Sequence, residues 1–210
     1  MASRDDACVE PILDSWRMHR EAGSWRWYIR PEPASGTVAG FNRRAADHGA
    51  RLVAALKPLV RIYRGFVGAV EVSIRRHEPH DAFDRRLLEA IRRAPETVTS
   101  IELSLDLSAY ARTINSPTTP VRGWIHGIGK AYLLLAPPSF GAFDIDCTLF
   151  LDTEESDQPN EELHRLNQPL LRSALAAIAS IWGPIVEYQG MDGVSETGFD
   201  AGSAPRSVPR

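Results

Sequence analysis

The sequence predicts an α+β fold in which an antiparallel sheet of about five strands packs against amphipathic helices. Two patterns carry this prediction. Several segments alternate apolar and polar residues, which is typical of antiparallel strands with one buried and one solvent-exposed face. Other, longer segments repeat apolar residues at helical spacing. With 210 residues, 43% of them hydrophobic, the chain is expected to form one domain over 1–189 and a flexible Gly/Ser/Pro-rich tail over 190–210.

Helical periodicity recurs in four places. The predicted helices span residues 7–21, 41–63, 81–94 and 160–182. Pro58 lies inside the second pattern and lacks the amide proton that a helix needs, so it is expected to kink or split that helix. Asp81 is expected to cap the third helix. Gly183 and Pro184 are expected to end the fourth.

The strand patterns account for the sheet. The predicted strands lie at residues 25–30, 69–75, 101–108, 130–136 and 143–152. The Pro- and Gly-rich connection over residues 111–129 is long for a loop without structure of its own, which points to a functional loop. It contains Trp124, a candidate aromatic anchor.

Charge is distributed unevenly along the chain. Residues 1–94 carry a net charge of +5, residues 95–165 a net charge of −7, and residues 166–210 a net charge of −1. Phosphate binding needs clustered Lys and Arg, so the acidic middle argues against nucleic acid as a partner.

Several functional classes lack their sequence signals. No apolar run approaches the length of a membrane span, and the first residues do not resemble a secretion signal, so a cytoplasmic protein without a membrane partner is expected. The two cysteines, Cys8 and Cys147, are too few for a disulfide framework or a cysteine zinc site. We expect no cofactor and no bound metal. The turn at residues 77–81 contains two histidines, but their spacing is not that of a helix-borne zinc pair.

The sharpest enzymatic candidate is the pair Asp144 and Asp146. Carboxylates two residues apart on a strand point the same way and can share a divalent cation. This short segment resembles the acidic strand of minimal nucleotidyltransferases, and the resemblance implies magnesium-dependent phosphoryl transfer. That family's Gly-Ser turn is replaced at the matching distance by Ala131 and Tyr132. The other interpretation is that both aspartates simply occupy the wet face of the strand.

A surface is the stronger candidate. If the strands pair as predicted, their acidic residues share one solvent-exposed face, whose self-repulsion does not help the sheet. Recognition of a basic protein partner would explain such a face, and ordinary solubility is the alternative. The candidate binding residues are Glu102, Asp106, Asp144, Asp146 and Asp152, with Trp124 as anchor.

The layout over residues 7–189, including the Trp182-Gly183-Pro184 step after the last helix, resembles the immunity proteins that bacteria pair with contact-dependent toxins. The resemblance implies that the protein neutralises a cognate toxin by tight binding, without turnover. Two alternatives stay open, namely a nucleotidyltransferase-like enzyme that uses Asp144 and Asp146, and a structural or oligomeric scaffold subunit. The oligomeric state is open as well.

Overall fold

A computed structural model of the protein describes residues 23–30, 37–113, 116–146, 161–190 and 194–199. In chain order, these residues form β1 (Gly23–Tyr28), α1 (Val38–Leu56), β2 (Val60–Val67), β3 (Val70–Ser73), α2 (His80–Arg93), β4 (Ser100–Thr113), β5 (Ser116–Leu134), β6 (Phe140–Ile145), α3 (Glu161–Trp182), β7 (Glu187–Gly190), β8 (Val194–Ser195) and β9 (Gly198–Phe199). The predicted α+β class is confirmed, with a main sheet larger than expected.

The main sheet has seven strands in the order β3-β2-β4-β5-β6-β1-β7, and every neighbouring pair is antiparallel. Its centre is the long hairpin of β4 and β5. Alternation along these strands explains the pairing, because Leu103, Leu105 and Leu107 are buried while the residues between them point to the opposite face.

The helices pack on one face of the sheet, here called the inner face. Leu87 of α2 lies against Gly65 of β2, and Ile101 of β4 lies against Gly49 of α1. Towards the other end of the sheet, on the same face, Trp182 of α3 stacks on Trp27 of β1, with ring centroids 5.6 Å apart. The resulting core is a continuous apolar layer between helices and sheet.

Two buried asparagines fasten helices to neighbouring backbone, Asn42 to the α2–β4 connection and Asn167 to β4. Asn42 of α1 donates to the carbonyl oxygens of Ala94 and Glu96 at 3.0 and 2.9 Å and accepts from the amide of Val98 at 2.8 Å. Asn167 of α3 exchanges two hydrogen bonds with the backbone of Tyr110 in β4. Each side chain thus satisfies backbone groups that the helix–strand contact would otherwise leave unpaired.

The predicted loop over residues 111–129 is wrong. Apart from residues 114 and 115, which lie outside the described residues, it belongs to β4 and β5. Pro120 fits this position because β5 pairs with β6 only over residues 129–134, so the proline lies where β5 has β4 as its one described neighbour. Trp124 is therefore a strand residue.

The predicted helix over residues 41–63 is too long. Helix α1 ends at Leu56, before Pro58, and the chain resumes as β2 from Val60. Alternating apolar residues in Val60–Val67 match a strand as well as a helix, and pairing with β4 decides between the two. Asp81 is not a cap: α2 begins after Pro79, which makes no side-chain cap hydrogen bond.

The predicted tail needs a partial correction. Strands β8 and β9 form a hairpin within it, and Trp25 Nε1 donates to the carbonyl oxygen of Ser195 at 2.8 Å. Gly198 lies against Gln168 of α3, where a side-chain Cβ would approach the amide nitrogen to 2.6 Å. Residues 194–199 therefore pack on the domain, because they complete the hydrogen bonding of a buried tryptophan.

Other predictions lie outside the described residues: the helix over 7–21, both cysteines, and the strand beyond residue 146 with Asp152. Among the helices that the structure describes, none combines the length and apolar character needed to cross a membrane.

Candidate functional site

The face of the sheet opposite the helices, here called the outer face, carries four of the predicted acidic residues, while Asp152 lies outside the described residues. Cross-strand pairing places Glu102 beside Phe66 and Tyr132, and Asp144 beside Lys130. Asp106 and Asp146 follow on the same face by alternation. In the described part of the chain, the helices contact the inner face, so these acids lie on the uncovered side.

Most of these acids have local partners. Asp106 is largely shielded and accepts from the Gly127 amide at 3.1 Å. Asp144 accepts from the Ser24 hydroxyl at 2.5 Å, and an Asp146 oxygen lies 3.9 Å from Lys130 Nζ. Glu102 is exposed on the strand. It is thus the acid of this set that is best placed to meet another molecule.

Cations from neighbouring strands lie among the acids, so the outer face is mixed in charge rather than uniformly acidic. Lys130 lies between Ser104 and Asp144 in one cross-strand row. The cations that share this face are Arg26, Arg61, Arg64, Arg122 and Lys130. Three of these five cations, Arg26 of β1 and Arg61 and Arg64 of β2, lie far from the acidic segment along the chain, so the charge of that segment alone does not show how mixed the face is.

Trp124 lies on this face in contact with a cation. The guanidinium carbon of Arg61 lies 4.0 Å from the centroid of the Trp124 ring. Arg61 also pairs with Asp106 across β2 and β4. Because Arg and Trp are enriched among the residues that dominate protein interfaces, this pair is the best-defined candidate for a binding centre.

Two irregularities in the sheet shape the area beside Trp124. Register shifts occur at Tyr63 in β2 and opposite Asp106 in β5. They bring the rings of Tyr63 and His126 together, with centroids 4.4 Å apart. His126 Nδ1 lies 2.8 Å from Asp106 Oδ1, and the histidine side chain is 70% exposed. The irregular strands thus project an oriented imidazole from the sheet.

A cleft of about 590 Å³ opens next to Trp124, between the end of α1, the start of β2 and the start of α2. Lys57 and Asp81 meet across it at 2.9 Å, which raises the pKa of the lysine and lowers the pKa of the aspartate. Desolvation raises the pKa of the nearby Asp84 carboxyl, with a further contribution from Asp81. The cleft therefore combines one ion pair with one carboxylate whose charged form is disfavoured by burial.

The turn before α2 is held by Glu78 rather than by its histidines. Glu78 accepts from the Arg75 amide and from the Arg86 guanidinium at 2.7 to 2.9 Å. These hydrogen bonds lower the pKa of Glu78 to about 2. His77 takes a positive φ of 64°, and His80 Nδ1 lies 3.2 Å from the Ile62 carbonyl oxygen. The cluster is a structural turn that fixes the rim of the cleft.

No group of three metal-ligating side chains occurs among the residues that the structure describes. The site residues missed from sequence are Arg61, Tyr63, His126 and Asp84. Arg61 and Tyr63 were hidden by the helical interpretation of residues 41–63. For His126, its position between Trp124 and Gly127 was the available signal, since glycine with positive φ is common at strand irregularities.

Comparison of the chain with protein-family models, with curated proteins and with solved structures finds no match.

Proposed function

We propose that this chain is a non-catalytic binding protein of the immunity type, which neutralises a cognate toxin by binding it tightly through the outer face of its sheet. The observation that carries the proposal is the Arg61–Trp124 stack on that face, at 4.0 Å. Tyr63 and His126 lie beside it. Glu102, on the same face, is exposed. An aromatic side chain on a rigid sheet, and an arginine already stacked on it, supply contact area with little further loss of conformational freedom.

The partner we propose is a basic protein domain, the toxin itself. Its basic side chains would meet Glu102 and the carboxylates of Asp144 and Asp146, while its acidic or carbonyl groups would meet Arg61 and Arg122. Alternating charges give orientation as well as attraction, because a shifted complex would bring like charges together. A mixed face thus suits one specific partner better than basic proteins in general.

The test begins with the partner. The protein is used to capture binding proteins from its native cells, and each captured protein is then expressed in a bacterial host with and without this chain. We expect one captured protein to arrest growth and the chain to restore it. Failure of every captured protein to arrest growth, or failure of the chain to restore it, would contradict the proposal.

Variants then locate the interface with purified components. Trp124→Ala is expected to weaken binding by about 30-fold or more, because central aromatic residues commonly contribute 2 kcal/mol or more. Glu102→Lys is expected to slow association and reduce its salt dependence. Glu96→Lys changes an exposed acid in the α2–β4 connection and serves as the matched control. Equal effects of the two charge reversals would remove the outer face from the interface.

The same preparations decide between this proposal and its alternatives. Nucleotide and magnesium binding that is lost in Asp144→Asn would favour the nucleotidyltransferase-like enzyme. Self-association at micromolar concentration, measured by light scattering, would favour the scaffold subunit.

A further inference from the structure

The cleft beside Trp124 has one apolar side and one polar side. Its apolar wall comes from the end of α1, from β2 and from the indole. Its polar wall is the first turn and a half of α2. The lining residues used below are Val53, Val60, Ile62, Trp124, Asp81 and Asp84. A volume of about 590 Å³ is enough for one long side chain of a partner, with room for water.

Two cations of this cleft already have partners: one contacts a carboxylate, and the other is stacked on an aromatic ring. Lys57 Nζ lies 2.9 Å from Asp81 Oδ1. Arg61 is stacked on Trp124 and faces Asp106 across the strands. Neither cation forms an ion pair with Asp84 among the described residues.

Asp84 is the carboxylate of the cleft whose hydrogen bonding is incomplete among the described residues. Its Oδ1 atom is enclosed and has no hydrogen-bond partner among the residues that the structure describes. Because that oxygen is covered, Oδ2 is the atom that Asp84 can present to the cleft. Burial and the neighbouring Asp81 raise the pKa of Asp84 more than Lys57 and His80 lower it. A cationic donor at Oδ2 would favour the charged carboxylate and so offset the effect of burial, while Oδ1 stays enclosed.

We propose that the cleft is a socket for one arginine or lysine side chain of the partner protein. The apolar wall would contact the aliphatic part of that side chain, and its charged end would donate to Asp84 Oδ2. This inference rests on the proposed function and deepens it, since it assigns a specific basic residue of the partner to a specific position next to the Trp124 anchor. Continuity with the outer face allows one partner to fill the cleft and cover the indole together.

The test uses the full chain and a small probe, N-acetyl-arginine N-methylamide, followed by NMR. We expect the probe to shift the Trp124 indole and Asp84 amide signals at millimolar concentration. Asp84→Asn is expected to weaken binding of the probe by about tenfold or more, because hydrogen bonds to a charged group are stronger than those to a neutral group. Asp47→Asn, an exposed aspartate of α1, is the matched control and should leave binding unchanged.

A neutral probe with a similar stem, N-acetyl-norleucine N-methylamide, separates charge from apolar contact. Equal binding of the two probes, no shift at Trp124, or an unchanged affinity in Asp84→Asn would each overturn the socket. Asp84→Asn should fold with an unchanged or higher Tm, which excludes unfolding as the cause of lost binding.

Failure of this proposal is distinguishable from failure of the proposed function. If Trp124→Ala weakens binding of the toxin partner while Asp84→Asn does not, the proposed interface is supported and the proposed socket is contradicted. If the arginine probe binds as expected but no captured protein is neutralised, the cleft remains a site for basic side chains and toxin neutralisation is overturned.

Discussion

The inner and outer faces of the sheet are built from adjacent residues of the same strands, yet one face packs against the helices and the other is open to solvent. Leu103 and Leu105 face the helices and are almost fully buried, while Glu102 between neighbouring buried positions is exposed. Trp27 is enclosed and stacked on another tryptophan, whereas Trp124 lies on the opposite face under an arginine. Alternation along the strands thus separates the apolar residues that hold this fold from the exposed side chains available for recognition.

The largest expected effect is on the inner face. Trp27→Ala should lower the free energy of unfolding by about 3–5 kcal/mol, because it leaves a large cavity against Trp182. Trp124→Ala should cost about 1 kcal/mol, since that ring is only partly buried. Urea unfolding of both variants measures the difference.

Trp27→Phe is the control. Trp27 Nε1 has no acceptor among the described residues, so a variant that keeps an aromatic ring should recover much of the lost stability. Equal costs at Trp27 and Trp124 would break the contrast between the faces.

The hairpin of β8 and β9 provides the next test. Truncation after Gly190 removes Ser195, the acceptor of the buried Trp25 Nε1, and should cost about 1–3 kcal/mol for the loss of that hydrogen bond. A chain ending after Phe199 keeps that hydrogen bond and should match the stability of the full chain. If both truncations have the Tm of the full chain, the hairpin does not support the inner face.

Glu78 gives a pH-dependent effect at the rim of the cleft. Its pKa in the folded protein is about 2, below the ordinary value of 4.5, so its contribution to stability is present above that ordinary value. The contribution is lost as the pH falls through the folded value. Glu78→Gln should therefore lower Tm at pH 7, and the difference from the parent should shrink between about pH 4.5 and 2. A difference that stays constant with pH would show that the Arg86 ion pair does not contribute.

The smallest effect is expected at Glu102. Glu102→Lys should change the free energy of unfolding by no more than about 0.5 kcal/mol, as is usual for an exposed position without a fixed partner. Thermal unfolding at low and high salt checks this. A larger loss would mean that the outer face contributes to stability, and would weaken its interpretation as a recognition surface.

Local patterns predicted much of the fold. The alternation in residues 25–30 and 101–108, and the helical spacing in 160–182, correspond to β1, part of β4 and α3. Predictions failed where pairing over long distances decides the structure. Residues 60–67 fit either period, and pairing with β3 and β4 makes them a strand. The Pro- and Gly-rich stretch around Trp124 becomes a strand because it pairs with β4.

The candidate site was harder to predict than the fold. Placement of Glu102, Asp106 and Asp144 on one face follows from alternation once the strands pair in register. Arg26, Arg61 and Arg64 come from strands distant in sequence, so residues 95–165 alone show only Arg122 and Lys130 among the cations of the mixed face. Contacts such as Arg61 on Trp124 depend on register shifts that the sequence does not encode in any short motif.

The sheet ends on two very short strands, β3 and β7, with four residues each. An incoming chain that sought to extend the sheet would find only a brief row of backbone groups at either border, with Glu71 and Glu187 projecting from it. Such borders discourage the strand-to-strand growth that leads to aggregates. A partner gains little from adding a strand of its own at these two borders, so side-chain contacts on the broad face contribute more to binding than strand addition there.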